Sequence, residues 1–419
     1  MSHEYKFKNC KNMKRRLTVL FALLVCLVGS VQAQLSKTVE LTEAGTLEVQ
    51  LGEDVGKITE LIVKGPLNEA DFVTMKEKMK SIQVLDMGGV TELPFENRWV
   101  DGTNVSFSVI PHSAFEGKLT LQKVVFPPVV ELISGFSFSS CPSLMTLDFS
   151  LAKNLKHIEQ RSFTSCSNLK YLDLSECTNL KSLSGFSGCG NLLTVNLSGC
   201  SQLEIIEGSD WAEGDGCFAF CISLTEVILD GCSSLKQIAG NAFFYDNNLS
   251  NFDFYSIPSL EIIGANAFSN TNISGKITFG EKLIKICRSA FEGCKKIESI
   301  NVSSCRNLQA IEAGAFYNCN IKSVDLTNCL QLNDISGINI GSLEELKIDN
   351  IYFKSINGVL FNAEVNILMG YLETKKDAEY VIPSSVISID CFFNNNNIKK
   401  LIIPESVKSI NSHFVFRAL

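Results

Sequence analysis

One short phrase recurs along this chain, and its spacing restricts the fold more than any other feature. A phenylalanine that follows a small residue, as in "SAFEGC" and "RSFTSC", returns every 23 to 25 residues, with one interval of 32. A constant period of this length is typical of a repeat array, in which successive units stack and bury a shared core. The positions are Phe115, Phe138, Phe163, Phe186, Phe218, Phe243, Phe268, Phe291 and Phe316.

Each unit also contains a strand-like segment with alternating apolar residues, such as "LKYLDL" at 169–174 and "IESINV" at 297–302. Alternation places the apolar side chains on one face of a strand. One unit cannot bury that face alone, but stacked units place leucine on leucine and phenylalanine on phenylalanine. We therefore predict a single curved leucine-rich repeat solenoid with one strand per repeat, a parallel β-sheet face and an N-terminal α/β cap.

The cysteines follow the same period. Buried thiols are the favoured interpretation, because free cysteine behaves as a small apolar residue with a weak donor. Disulfides between neighbouring coils are the alternative, although side chains of one column point in parallel, which is poor geometry for a bond. The first column is Cys141, Cys166, Cys189, Cys221, Cys294 and Cys319, and the second is Cys177, Cys200, Cys232, Cys305 and Cys329.

The chain divides into five predicted segments. Residues 1–33 have basic residues followed by the apolar run "LTVLFALLVCLVGS", which predicts a signal peptide cleaved after Ala33. Residues 34–105 form the cap, and 106–348 the regular repeats. Residues 349–381 are a divergent, hairpin-like repeat, and 382–419 are C-terminal repeats whose last coil is either exposed or continued by more chain.

The cap contains one clear helix signal, "NEADFVTMKEKMK". Asn68 is suited to cap the helix and Asp71 to lie in its first turn. Phe72, Met75 and Met79 then share one face. We expect this segment to seal one end of the solenoid, because terminal repeats need a cap.

These phrases resemble the BspA-like leucine-rich repeat family of bacterial surface proteins. The resemblance rests on "AFEGC", "SFTSC" and "AFYNC" with the strands beside them, and on "IPSSVISI" and "IPESVKSI". It covers roughly residues 106–419, and "GPLNEADF" resembles the N-terminal cap of such proteins. The resemblance implies exposure at the cell surface, adhesion to host proteins and contact between bacteria.

Enzyme chemistry finds little support in the sequence. Outside the leader, only His112, His157 and His413 are histidines, each alone in its repeat and predicted to be solvated. We therefore predict no catalytic residue, no metal site and no cofactor. The net charge is −8, and the leader is basic, so the remaining chain is more acidic still; this disfavours nucleic acid as a partner. No transmembrane span is predicted after the leader.

Two groups of residues are candidates for binding a partner. The insertion "EGSDWAEGDG" breaks the period and combines Trp211 with Asp210, Glu213 and Asp215. Insertions in repeat proteins often lie on the binding face, but a tolerated surface loop is an equal alternative. Asp148 and Asp173 begin a polar stripe at one strand position, which is either a binding face or a solvated one.

The sequence thus predicts an exported, non-enzymatic protein of the bacterial cell surface, secreted or surface-attached. Its expected partner is a host extracellular-matrix protein or a bacterial surface protein. One alternative is the recognition module of an enzyme whose catalytic domain lies outside this sequence. The other is a structural spacer in the cell envelope.

Overall fold

The computed structural model describes residues 34–100, 102–209, 216–391 and 397–411. The chain divides into two compact units, Met1–Leu35 and Ser36–Leu419. The predicted signal peptide, residues 1–33, falls in the first unit and lies outside the described residues. All elements named below belong to the second unit.

A first row of parallel strands runs along the solenoid, and it is divided into three sheets. Its five-stranded sheet contains, in order, β1 (Ser36–Glu40), β2 (Glu60–Pro66), β3 (Val84–Glu92), β6 (Lys123–Val125) and β8 (Thr146–Asp148). The row continues in β10 (Tyr171–Asp173), β12 (Thr194–Asn196) and β14 (Glu226–Ile228), and then in β17 (Ser274–Thr278), β19 (Lys296–Asn301), β21 (Ser323–Asp325) and β22 (Glu345–Lys347).

A second row forms one ten-stranded sheet, which begins with an antiparallel hairpin. The hairpin is β4 (Phe95–Val100) with β5 (Thr103–Ile110), and β4 is the terminal strand. The other strands have two residues each: β7 (Leu132–Ile133), β9 (His157–Ile158), β11 (Ser182–Leu183), β13 (Ile205–Ile206), β15 (Gln237–Ile238), β16 (Ile262–Ile263), β18 (Lys285–Ile286) and β20 (Ala310–Ile311).

In the parallel rows, paired strand residues lie opposite their counterparts one repeat away. Leu183, for example, pairs with Ile158 on one side and Ile206 on the other. The parallel solenoid predicted from the period is therefore confirmed, with a second strand in most repeats. Two-residue strands carry no alternating pattern, which is why the sequence predicts one strand per repeat where the structure has two.

Three strands within the divergent segment are antiparallel. β23 (Phe353–Ile356), β24 (Val359–Asn362) and β25 (Ile367–Tyr371) pair in antiparallel order. β25 then resumes parallel pairing with β27 (Ser388–Ile389), which pairs with β29 (Ser409–Ile410). β26 (Glu379–Val381) pairs with β28 (Lys400–Ile402).

The N-terminal region adds the described α-helices to strands β1 to β3. They are α1 (Leu47–Leu51) and α2 (Glu69–Glu77), with a short 3-10 helix at Gly52–Asp54. Two further 3-10 helices, Phe254–Ser256 and Ile340–Ser342, lie in the repeats. The α2 capping prediction is confirmed, because Asn68 accepts from the Ala70 N–H while Asp71 accepts from the Asn68 N–H. The predicted apolar face of Phe72, Met75 and Met79 is buried.

The recurring phenylalanines form one continuous stack through the array. Neighbouring rings lie 4.9 to 5.6 Å apart between centroids, with interplanar angles of 1° to 16°. That separation is close to the spacing of adjacent strands, so each coil contributes one ring. Phe72 of α2 meets Phe115 edge-on at 6.0 Å, and the cap thereby closes this phenylalanine column.

The two cysteine columns are hydrogen-bonded from coil to coil. Each first-column thiol lies 3.0 to 3.3 Å from the carbonyl oxygen of the core phenylalanine in the preceding coil, as Cys166 does with Phe138. In the second column Cys200 and Cys232 lie 3.2 Å from carbonyls of the coil before. No disulfide joins the cysteines of the described residues. The thiols that have such a partner donate along the array to a carbonyl, which explains the periodic choice of cysteine.

Phe163→Ala should destabilise the fold strongly. Its ring is stacked between those of Phe138 and Phe186, and a large core cavity costs about 3–5 kcal/mol. The free energy of unfolding from guanidinium titration measures the loss. Tyr171→Ala removes an exposed ring from the same repeat and should cost less than about 0.5 kcal/mol. Equal losses would contradict the role of the phenylalanine column.

The column thiols should be reduced and unreactive in the native protein. Burial raises the pKa of Cys141, Cys177 and Cys232 to about 12, and only the thiolate attacks alkylating reagents. Purified protein at pH 8 should therefore react slowly. After unfolding without reductant, the fourteen cysteines of the described residues should all titrate. A large shortfall would indicate disulfides.

Candidate functional site

Some of the predicted binding residues lie within the described part of the structure and some lie outside it. Asp210, Trp211, Glu213 and Asp215 lie outside the described residues, so their role stays a prediction. Asp148 and Asp173 end strands β8 and β10, where Asp148 is half-buried and Asp173 exposed. The structure thus places only the polar stripe.

The polar stripe closes turns. The Asp148 carboxylate accepts the Ser150 N–H at 3.1 Å and its hydroxyl at 2.6 Å, and Asp173 accepts the Ser175 N–H at 3.0 Å. A side chain that accepts the N–H two residues on stabilises a turn. Further along the row, the same contact is made by Asn196, Asp253, Asn301 and Asp325. This role explains the spacing of the stripe; binding of a partner there stays a prediction.

His157 is half-buried, whereas His112 is exposed, as the sequence predicts. The His157 ring meets Phe107 of β5 edge-on at 5.3 Å, and its Nδ1 lies 2.9 Å from the Ser182 hydroxyl. Burial lowers the pKa of His157. His112 lies 5.4 Å from Phe136 between ring centroids, and His413 lies outside the described residues. Both described rings therefore pack against phenylalanines.

The second residue after each core phenylalanine has a left-handed backbone, with φ between 55° and 76°. Glycine and asparagine tolerate such a backbone best, and other residues cost roughly 1–2 kcal/mol there because of their Cβ atom. Most coils have glycine, asparagine or serine at this position, but two coils carry Phe220 and Tyr245. The other coils have Gly117, Ser140, Ser165, Gly188, Asn270, Gly293 and Asn318.

Phe220, Ile222, Phe244 and Tyr245 form an aromatic patch on the surface of these two coils. The rings of Phe220 and Tyr245 stack at 5.9 Å, and Phe244 packs edge-on against both. Phe220 and Tyr245 remain 38% and 41% exposed, and Ile222 is also exposed. Large exposed rings held in an unfavourable backbone conformation favour a binding role, because ordinary turn residues would serve stability better.

An acidic residue lies in the cysteine column next to the patch. Asp246 follows Tyr245, is fully buried and takes the column position of Cys221 one coil on. Its Oδ1 accepts the Cys221 N–H at 2.8 Å, while its Oδ2 has no hydrogen-bond partner. Burial raises the pKa of Asp246 well above its ordinary value, although the Cys221 N–H opposes the shift. Burial in this column therefore favours the protonated, uncharged form of the Asp246 side chain.

A polar cleft interrupts the first row between β14 and β17. Residues 250–255 make a single bridge, Asn251 to Glu226, because Phe252 and Phe254 both turn into the core. The cleft has a volume of about 460 Å³ and is lined in part by Asp253, Tyr255 and Lys276. Its lining offers hydrogen bonds and charge to a ligand.

Sequence reasoning missed the aromatic patch. The signal was available, because "CFAFC" and "AFFYD" place aromatic residues where "SFTSC" has serine, but it appears only when repeats are compared position by position. It also missed the exposed Trp99 and Phe95 of β4, which precede the first regular repeat. Over the described ranges, no helix is long and apolar enough to cross a membrane, and no group of three potential metal ligands occurs.

Comparison with known proteins gives one family match. The model of the BspA type leucine-rich repeat region matches in six copies, over residues 103–209, 213–336 and 370–417. These ranges make up more than half of the chain. No curated protein matches the sequence.

Several solved structures are similar in fold. A leucine-rich repeat protein from Bacteroides ovatus has 18% identity and a TM-score of 0.36, covering 78% of this chain and 82% of that chain. A leucine-rich cell surface protein from Faecalibacterium prausnitzii has 14% identity and a TM-score of 0.29, covering 78% and 68%. The functional domain of InlJ from Listeria monocytogenes, which includes a cysteine ladder, has 14% identity and a TM-score of 0.23, covering 73% and 71%.

Asp246→Asn should stabilise the protein at neutral and alkaline pH. The folded state raises this pKa, so the stability of the wild-type protein is highest below the unfolded pKa of about 3.9 and falls as pH rises toward the folded value. Asparagine can still accept the Cys221 N–H and does not ionise. At pH 8 the variant should gain at least about 1 kcal/mol in unfolding free energy.

The gain should shrink as the pH falls to 4. Asp230→Asn alters an exposed carboxylate and is the matched control, with no expected pH-dependent gain. A pH-independent effect of Asp246→Asn would show that folding does not shift the pKa of Asp246.

Proposed function

The chain belongs to the BspA type leucine-rich repeat family of bacterial surface proteins, and on that premise we propose that it is an exported, non-enzymatic, adhesin-like binding protein. Its partner is a host extracellular-matrix protein or a surface protein of another bacterium. The observation that carries the proposal is the aromatic patch of Phe220, Ile222, Phe244 and Tyr245.

Three features of the patch support binding. Aromatic residues are the usual anchors of protein interfaces, and they contribute most where a partner excludes water from them. Phe220 and Tyr245 occupy left-handed positions where the other coils have small residues or asparagine. Ile222 is apolar where the equivalent position of the preceding coil is Gly190. These departures cluster in two neighbouring coils. A binding site would produce such a cluster, whereas neutral variation would be spread over the surface.

Acidic residues close to the patch in sequence support a basic partner. The insertion with Asp210, Trp211, Glu213 and Asp215 precedes Phe218 in sequence, and the whole chain is acidic. Opposite charge on a partner speeds association and improves selectivity more than it adds affinity. We therefore propose that the aromatic patch supplies affinity and that the acidic insertion steers a positively charged surface toward it.

The double variant Phe220→Gly/Tyr245→Asn should lose binding while it keeps its stability. Glycine and asparagine suit the left-handed backbone, so the melting temperature should stay constant or rise. Loss of two anchors should weaken binding by at least about 2 kcal/mol. Surface plasmon resonance against extracellular-matrix proteins and bacterial surface proteins gives the affinity.

Tyr171→Ser is the matched control, because it removes an exposed ring from a different coil. Trp211→Ala and the pair Asp148→Asn/Asp173→Asn test the other two candidate regions separately. Unchanged binding of the double patch variant would contradict the proposal. If no partner in either class binds the unaltered protein, the structural spacer becomes the better explanation.

A further inference from the structure

Strand β4 presents unpaired backbone groups at the end of the ten-stranded sheet. The Pro94 carbonyl accepts the Val109 N–H at 2.8 Å, and the antiparallel register pairs Phe95 with Ser108. Hydrogen-bonded pairs alternate in such a ladder, so Glu96 and Arg98 bond to β5 while the intervening residues face away. Phe95, Asn97 and Trp99 therefore direct their N–H and C=O groups outward. Among the described residues, Arg98 Nη1 makes one long contact of 3.4 Å to the Asn97 carbonyl.

The side chains of β4 alternate between an exposed and a bound face. Phe95 is 67% exposed and Trp99 is 78% exposed, with exposed Asn97 between them. On the other face, Arg98 Nε donates to Glu159 at 3.0 Å, and the Ser134 hydroxyl donates to Glu96 at 3.1 Å. Two large rings on one face of an open strand edge are an unusual exposure for a protein that stays monomeric.

The hairpin is fixed to the solenoid. Phe107 of β5 is buried with Val109 and Leu132, and its ring meets that of His157. Lys156 lies over the same ring at 5.6 Å. These contacts hold β4 in place, so the addition of a partner strand costs little conformational entropy.

We propose that two copies of this chain associate through β4, with the strands antiparallel about a two-fold axis at Asn97. In this register Phe95 lies opposite the partner's Trp99, and Asn97 lies opposite the partner's Asn97. All three outward-facing residues of each strand then form backbone hydrogen bonds. An interface of this kind is self-complementary, as two-fold symmetry requires.

Charge selects this register over its neighbours. With the axis at Asn97, Glu96 lies opposite the partner's Arg98, and the pair is repeated by symmetry. Moving the axis to Glu96 would place two glutamates opposite each other, and moving it to Arg98 would place two arginines opposite each other. Like charges directly opposite are unfavourable, while opposite charges and aromatic pairs stabilise a sheet. The same shift would also separate the aromatic pairs.

Sedimentation velocity of the purified protein over a concentration series tests the association. We expect a monomer–dimer equilibrium, in which Trp99→Lys raises the dissociation constant at least tenfold. Asn97→Pro should do the same, because it removes an outward N–H at an edge position that tolerates proline. Val49→Lys changes an exposed apolar residue on α1 and should leave the equilibrium unchanged. A chain that stays monomeric up to roughly 1 mM would overturn the proposal.

Cysteine cross-linking tests the register. Under mild oxidation Asn97→Cys should cross-link to its own copy, since opposed Cα atoms lie about 5.5 Å apart in a hydrogen-bonded pair, within disulfide range. Phe95→Cys alone should not cross-link, but a mixture of Phe95→Cys and Trp99→Cys should. The unaltered protein is the control. A dimer in which Asn97→Cys does not cross-link would place the interface elsewhere and overturn the proposal.

Discussion

The separation of about 5 Å between stacked coils governs the rest of this structure. It places every side chain directly against its counterpart in the next coil, so a residue type is acceptable only if it packs on itself. Phenylalanine rings satisfy this by parallel stacking, and cysteines by donating to the carbonyl of the preceding coil. Both strand rows, the phenylalanine column and the cysteine columns all follow from this one distance.

Features that carry a recognisable sequence pattern could be predicted, whereas features that carry none could not. The solenoid, the capped helix at Asn68 and the hairpin beyond residue 349 each carry a recognisable pattern. The second strand row lacks one, since its strands contribute only residue pairs such as Ser182 and Leu183. The stripe begun by Asp148 and Asp173 was visible as a column, but its part in closing turns depends on backbone geometry that spacing does not encode.

Departures from the repeat concentrate in two coils. Between Phe218 and Tyr245 the array places bulky rings on left-handed backbone, and Asp246 occupies a thiol position with an unpartnered oxygen. Each departure sacrifices stability, and the rest of the array is regular enough to offset the loss. A long repeat array can accept such local costs because each coil contacts only its neighbours. The regular coils thereby support the coils that carry the proposed binding surface.

The residue-by-residue pairing of coils has a genetic consequence. A recombination event that deletes or duplicates one whole repeat leaves Leu183, or its equivalent, with an apolar residue above and below it. The core is therefore preserved when the number of repeats changes. The protein can therefore be lengthened or shortened in steps of one coil. Selection can adjust the length of the solenoid in this way without a change of fold.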